Sequence, residues 1–147
     1  MPAVTRRTLL ESLSAVPLLS AALLAASQRA DPKQALTSVY ELRVYHAAPG
    51  KLGELLVRFR EHTTKLFEKH GMKNIAYWTP VDEPDRDNML IYILQHPSRE
   101  AATANWKSFQ DDPEWKRVKE ESEANGKLTE KIDSTFLALT DFSPPLQ

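Results

Sequence analysis

Hydrophobic and polar positions first alternate in a sustained way at Tyr40, where Tyr40, Leu42, Val44 and His46 interleave with Glu41, Arg43 and Tyr45. A period of two is that of a strand, whose successive side chains leave opposite faces. Pro49-Gly50 ends it, and the period then lengthens. Leu52, Leu55, Leu56, Phe59, Thr63, Leu66, Phe67 and His70 recur at steps of three and four, which lays them on one stripe of a helix of roughly twenty residues. Gly71 stops that helix, being tolerant of a positive φ. "NIAYWTPVD", from Asn74, is rich in aromatic and β-favouring residues and predicts a second strand broken at Pro80, followed by the polar turn "DEPDRDN". "MLIYILQ", from Met89 to Gln95, is apolar at nearly every position, which predicts a strand covered on both faces. Ser98 is placed to cap a helix through Ala101, Ala102, Trp106 and Phe109. Asp111 or Asp112 then caps a restarted helix with Pro113 in its first turn and Asn125-Gly126 as its stop. "STFLALTDF" predicts the fourth strand and "SPPLQ" a tail.

The order is strand, helix, strand, strand, helix pair, strand. It predicts an α+β protein, a ferredoxin-like βαββαβ protomer with its helices on one face of an antiparallel sheet. A sheet covered on one side leaves its other face to be polar or partnered, and the third strand is apolar on both. The pattern therefore predicts a second copy packed sheet to sheet, a dimeric α/β barrel with a lumen between subunits.

The amino terminus departs from this pattern. Arg6 and Arg7 precede sixteen uncharged residues, Ser12 to Ser27, rich in Leu and Ala and ending in small side chains. At about 1.5 Å per residue the run falls short of a hydrocarbon core of about 30 Å, so it predicts a cleavable export signal over 1–27, with the membrane met only in transit. The Arg6-Arg7 pair before Leu9-Leu10 resembles a twin-arginine motif, with Glu11 where lysine often stands; an ordinary secretory signal and an uncleaved anchor are the alternatives. Residues 28–38 read as a tether, 39–144 as the domain and 145–147 as the tail. With the signal removed, the expected location is periplasmic or extracellular.

Composition narrows the chemistry. The chain has no cysteine, which excludes disulfides, thiolate metal sites and a cysteine nucleophile. A net charge of −1 argues against a nucleic-acid partner, which needs a concentrated basic face. There is no haem-attachment motif, no paired-histidine helix motif, no phosphate loop and no nucleophile elbow, so neither a cofactor nor a metal is expected.

Four separated stretches, "YELRVYHAAPGKLGELLVRF", "HTTKLFEKHGMKNIAYW", "YILQHPSREAATANWKSFQDDPEW" and "FLALTDFSP", resemble the NIPSNAP family in order, from about Tyr40 to Pro144. The resemblance implies dimeric α/β barrels of ferredoxin-like protomers. It supplies no catalytic residues, because bacterial members are mostly without an assigned activity; eukaryotic members are linked to mitochondria, vesicle traffic and protein docking.

Candidate residues come from the first and third strands. If Leu42 and Val44 face the helices, then Glu41, Arg43 and Tyr45 face the dimer side, where Arg43 needs a carboxylate or a ligand anion. Glu41 can supply that carboxylate in a structural ion pair. The ligand reading takes Arg43, Tyr45, Trp78 and Tyr92 as a wall for a small aromatic or amphipathic molecule in the lumen; a dry dimer interface suits the same residues. Tyr77 and Trp78 must leave opposite faces, one to the core and one to the dimer side. His46 and His96 end their strands and can share one rim of the sheet, as loop anchors, as proton carriers, or as two ligands of a metal for which no third ligand has a clear claim. His62 reads as a boundary residue and His70 as a helix cap. An envelope docking module and a cofactor-independent monooxygenase are the alternative functions, the second resting on fold alone.

Overall fold

The computed structural model describes residues 38–144 and 146; the leader and most of the tether lie outside the described residues. β1 (Val39–Ala47) leads through Pro49-Gly50 into α1 (Leu52–Arg58), which continues without a break through a π-helical turn (Phe59–Thr63) into α2 (Thr64–Lys69). β2 (Lys73–Trp78), β3 (Met89–His96), α3 (Arg99–Asp111), α4 (Pro113–Ser122) and β4 (Thr129–Leu137) follow. The sheet order is β2-β3-β1-β4, with every neighbouring pair antiparallel. This is the ferredoxin-like arrangement expected from the element order.

Local chemistry sets the boundaries. Gly71 takes φ 74°, which turns the chain back toward the sheet. The Ser98 hydroxyl accepts from the Ala101 amide at 3.1 Å, and the Asp112 carboxylate accepts from the Glu114 amide at 2.8 Å, with Pro113 in the first turn. The last helix ends at Ser122, short of the Asn125-Gly126 stop. The fourth strand begins at Thr129 and is over by Leu137, so "STFLALTDF" placed it about five residues late. Its first half, "TEKIDS", is polar because it forms an edge strand with much of its surface in water, and it lacks the apolar alternation of a covered strand.

The core lies between the sheet and the helices. Leu55, Phe59, Leu66 and Phe67 from the first helical stripe pack with Met72, Leu90, Tyr92, Leu94, Phe109 and Leu128. Trp115 lies on Phe109 at 4.5 Å between ring centroids, joining the restarted helix to its first segment. β3 alternates without exception: Leu90, Tyr92, Leu94 and His96 are buried under the helices, while Met89, Ile91, Ile93 and Gln95 are half-buried on the opposite face.

The pleat of β1 runs opposite to the conditional reading from sequence. Glu41, Arg43 and Tyr45 pair in register with Leu94, Tyr92 and Leu90, and so lie on the helix-covered face. Leu42 and Val44 pair with Ile93 and Ile91 on the open face. A hydrophobic alternation shows that a strand has two faces but not which one the helices cover; Trp106 of α3 settles it by donating its indole N–H to Glu41.

Candidate functional site

Glu41 is the centre of a buried polar cluster, with 1% of its surface exposed. Its Oε1 accepts from Arg43 Nη1 at 2.7 Å and from the Ser134 hydroxyl at 2.6 Å. Its Oε2 accepts from Trp106 Nε1 at 2.6 Å and from His96 Nε2 at 3.1 Å. Strands β1, β3 and β4 and helix α3 each contribute, so the cluster ties the helix layer to three strands. Burial by itself would raise the Glu41 pKa, but the hydrogen bonds from His96, Ser134, Trp106 and Arg43 outweigh it and hold the carboxylate at about 2.

Arg43 is the other pole. Its guanidinium lies over the Trp106 ring at 4.2 Å and near the Tyr45 ring at 5.5 Å. Burial works to lower its pKa, and the Tyr45 and Tyr92 hydroxyls together with Glu41 raise it, so the charge is retained. Tyr92 is fully buried, and desolvation followed by the nearby Tyr45 pushes its hydroxyl well above the ordinary phenol range. The Tyr92 hydroxyl lies against that of Tyr45 without a well-formed hydrogen bond, and Arg43 Nε and His96 Nδ1 have no hydrogen-bond partner. Around these atoms the rings are packed closely, Tyr92 stacking on Tyr77 at 5.1 Å and meeting Tyr45 at 5.4 Å and Phe59 at 5.3 Å.

The residues singled out from sequence are thus divided. Arg43, Tyr45 and Tyr92 converge under the helices, whereas Trp78 is 48% exposed on the open face beside Ile91. The Glu41–Arg43 ion pair is present. His46 and His96 do not share a rim. Because β1 and β3 run antiparallel, His46 sits opposite Met89 and His96 opposite Val39, at the two ends of the sheet. They also face opposite ways: His96 reaches Glu41 in the core, and His46 pairs with Asp133 at 2.9 Å on the open side. No cluster of three metal-ligating side chains occurs among the described residues.

Two members of the cluster escaped the sequence reading. Trp106 fits a helical stripe and reads as core packing, and Ser134 sits in a polar strand. The signal that could have found them is Glu41 itself, since a carboxylate one position from Tyr40 and Leu42 in a buried strand must find several donors. His70 caps α2, as its place before Gly71 suggested, and its ring nitrogens meet Ser108 at 2.8 Å and Asp112 at 2.6 Å.

Against this geometry, a family model described as NIPSNAP matches residues 40–144. The chain belongs to the NIPSNAP family. Solved structures agree on the fold. A NIPSNAP-like domain protein from Burkholderia xenovorans superposes with a TM-score of 0.64 at 18% identity, covering 76% of this chain and 93% of that one. A NIPSNAP family protein of unknown function from Agrobacterium tumefaciens gives 0.63 at 19% identity, covering 76% and 96%. A second from the same organism gives 0.63 at 22% identity, covering 73% and 97%. At these identities the likeness shows the fold and carries no activity. The comparison with curated proteins returns no match. A NIPSNAP domain here therefore means a ferredoxin-like fold whose sheet-facing polar cluster has to be read on its own chemistry.

Proposed function

We propose that this NIPSNAP protein is exported on its leader and works as a homodimer whose lumen, between the open faces of the two sheets, binds a small aromatic or amphipathic molecule. The observation that carries the reading is the open face itself: Leu42, Val44, Met89 and Ile91 line it, and Trp78 beside Ile91 keeps 48% of its surface exposed. An apolar sheet face carrying an exposed indole suits a flat, apolar ligand body. Arg43, Tyr45 and Tyr92 lie on the other face, packed under the helices with Glu41 balancing the charge, and belong to the core rather than to this site.

The test is native mass spectrometry of the protein purified gently from its own envelope, alongside the same sample denatured. The expected result is a dimer carrying an added small mass that disappears on denaturation, with a chain mass beginning at Gln28. Trp78→Ala removes an exposed side chain of the open face. It should leave the fold and the dimer intact and shed the added mass. Retention of that mass by Trp78→Ala, or a wild-type dimer with nothing bound, would overturn the ligand site.

A further inference from the structure

α2 ends at His70 and α3 gives way to α4 at Asp112, and these two helix boundaries meet in the helix layer. Ser108 belongs to the last turn of α3 and Asp112 follows it by one turn. The His70 ring bridges them. Its Nδ1 lies 2.8 Å from the Ser108 hydroxyl and its Nε2 lies 2.6 Å from the Asp112 carboxylate. Phe109 stands edge-on to the ring at 6.1 Å between centroids, and Asn105 donates to the Gly71 carbonyl at 3.1 Å, which holds the turn that follows His70.

The direction of these hydrogen bonds follows from charge. Asp112 is buried, and besides the ring it accepts from Lys69 Nζ at 2.8 Å and from the Glu114 amide at 2.8 Å. The bonds from Lys69 and His70 hold its carboxyl well below the usual carboxylate range. An ionised carboxylate can only accept, so the proton between the two residues belongs to His70 Nε2. In the neutral ring the lone pair is then at Nδ1, and the Ser108 hydroxyl donates to it. A helical serine ordinarily turns its hydroxyl to water or to the carbonyl four residues back. Ser108 instead gives it to a base fixed in one tautomer by a buried carboxylate. This is the bonding order of a Ser–His–Asp nucleophile, with the two ring nitrogens exchanged relative to the serine proteases. Ser108 is exposed, whereas the His70 and Asp112 side chains are mostly covered, so the nucleophile opens on solvent and its partners are shielded from it.

We propose that Ser108 is an activated nucleophile that takes the acyl group from small esters, with His70 as its general base and Asp112 as the positioning residue. Oγ bonds to the ester carbonyl carbon as its proton passes to Nδ1; the tetrahedral oxyanion then collapses, the ester C–O bond breaks, and the leaving alkoxide takes that proton away as the alcohol. Water, giving its proton to the same nitrogen, attacks the acyl-serine, and Ser108 Oγ recovers a proton as the carboxylic acid departs. Asn105 precedes Ser108 by three residues and is its neighbour on the surface of α3. It uses one amide N–H on Gly71 and offers the other to the oxyanion. Because Ser108 stands on an exposed helix face, selection falls on the reactivity of the ester more than on its shape, which makes short-chain activated esters the substrate class. The relay belongs to the helix layer and the proposed lumen to the open face of the sheet, so either can fail without the other.

An alkyl fluorophosphonate traps such a serine by the same attack, made at phosphorus with fluoride leaving, and the adduct does not turn over. Purified protein treated with this reagent, digested and mapped by mass spectrometry should carry the phosphonate on Ser108, at a rate that rises linearly with reagent concentration. Ser108→Ala removes an exposed hydroxyl and should fold like the wild type without acquiring the adduct. His70→Gln should label slower by on the order of 100-fold or more, and His62→Gln, which alters a histidine outside the relay, should label at the wild-type rate. Asp112→Asn keeps an N-cap oxygen for α4 and should slow labelling roughly tenfold or more while the far-ultraviolet circular dichroism stays unchanged, a loss that a purely structural cap would not produce. Hydrolysis of p-nitrophenyl acetate should fall in the same order across the variants. A wild-type protein with no adduct on Ser108, or a His70→Gln that labels as fast as the wild type, overturns the proposal.

Discussion

At the scale of single residues, Glu41 is the buried carboxylate through which this protein responds to acid in its core. Its pKa is about 2 in the folded chain, against an ordinary glutamate value of 4.5. A carboxylate depressed by folding contributes stability that is fully present above its unfolded pKa and is lost as pH falls through the folded one. Stability should therefore decline between about pH 4.5 and pH 2, by on the order of 3 kcal/mol from this group. Glu41→Gln removes the charge that Arg43 needs in a desolvated setting, and it replaces one acceptor oxygen by a donor facing other donors. A loss of about 3–5 kcal/mol at neutral pH is expected, measured as a lower urea midpoint. The same variant should weaken less than the wild type across that window, the remaining decline coming from carboxylates such as Asp112, which the Lys69 ammonium and the His70 ring hold well below the usual carboxylate range. The sequence announced that Arg43 required a carboxylate and that Glu41 was at hand. It did not announce the direction of the pleat, since Tyr40, Leu42 and Val44 are as apolar as a helix-covered set would be. The helix-covered face is the more polar of the two on this strand, because α3 brings an indole donor down to the carboxylate.

At the scale of elements, β1, β3 and the long helix were legible because each carries a strong period, and α3 and α4 because Ser98, Asp112 and Pro113 mark their starts. β4 was misplaced because an edge strand half in water has a pattern close to that of a loop. The π-turn was invisible, as Thr63 stands on the apolar stripe of a continuous helix and only the hydroxyl contact with Arg58 distinguishes it. The turn at Gly71 provides a quantitative check on how elements are joined. Gly71 holds φ 74°, and an added Cβ would come within 3.1 Å of the Asn105 amide nitrogen, which itself donates to the Gly71 carbonyl at 3.1 Å. Gly71→Ala should therefore destabilise the protein by about 1–2 kcal/mol. Gly53 offers the contrast, for it lies inside α1 with space around it, and Gly53→Ala should stabilise by roughly 0.5–1 kcal/mol. Thermal unfolding of the two variants beside the wild type should move in opposite directions.

At the scale of the whole molecule, the open face of the sheet is the surface on which the proposed dimer rests. Leu42, Val44, Met89 and Ile91 occupy its middle, half-buried within the single chain, and Trp78 extends the apolar surface on β2. At one end the carboxyl-terminal segment folds over it, leaving a cavity of about 270 Å³ lined by Tyr40, Ile93, Leu137, Leu139 and Leu146. The middle has no such cover from the described chain. A contiguous apolar sheet surface of this kind is expected to be closed by another sheet at about 10 Å, and the occupant we propose is a second copy. The positions involved alternate with a separate buried set on the same strands, so the face can be altered without entering the core. Ile91→Lys introduces a charge at the centre of the proposed interface, beside Val44 and Trp78 across the ladder. Sedimentation velocity at micromolar concentration should give a dimer for the wild type and a monomer for Ile91→Lys, with unchanged far-ultraviolet circular dichroism. A wild-type monomer under those conditions would remove the second copy as occupant. A dimeric Ile91→Lys would place the interface on another surface, and Trp78 would then need a different explanation for its exposure.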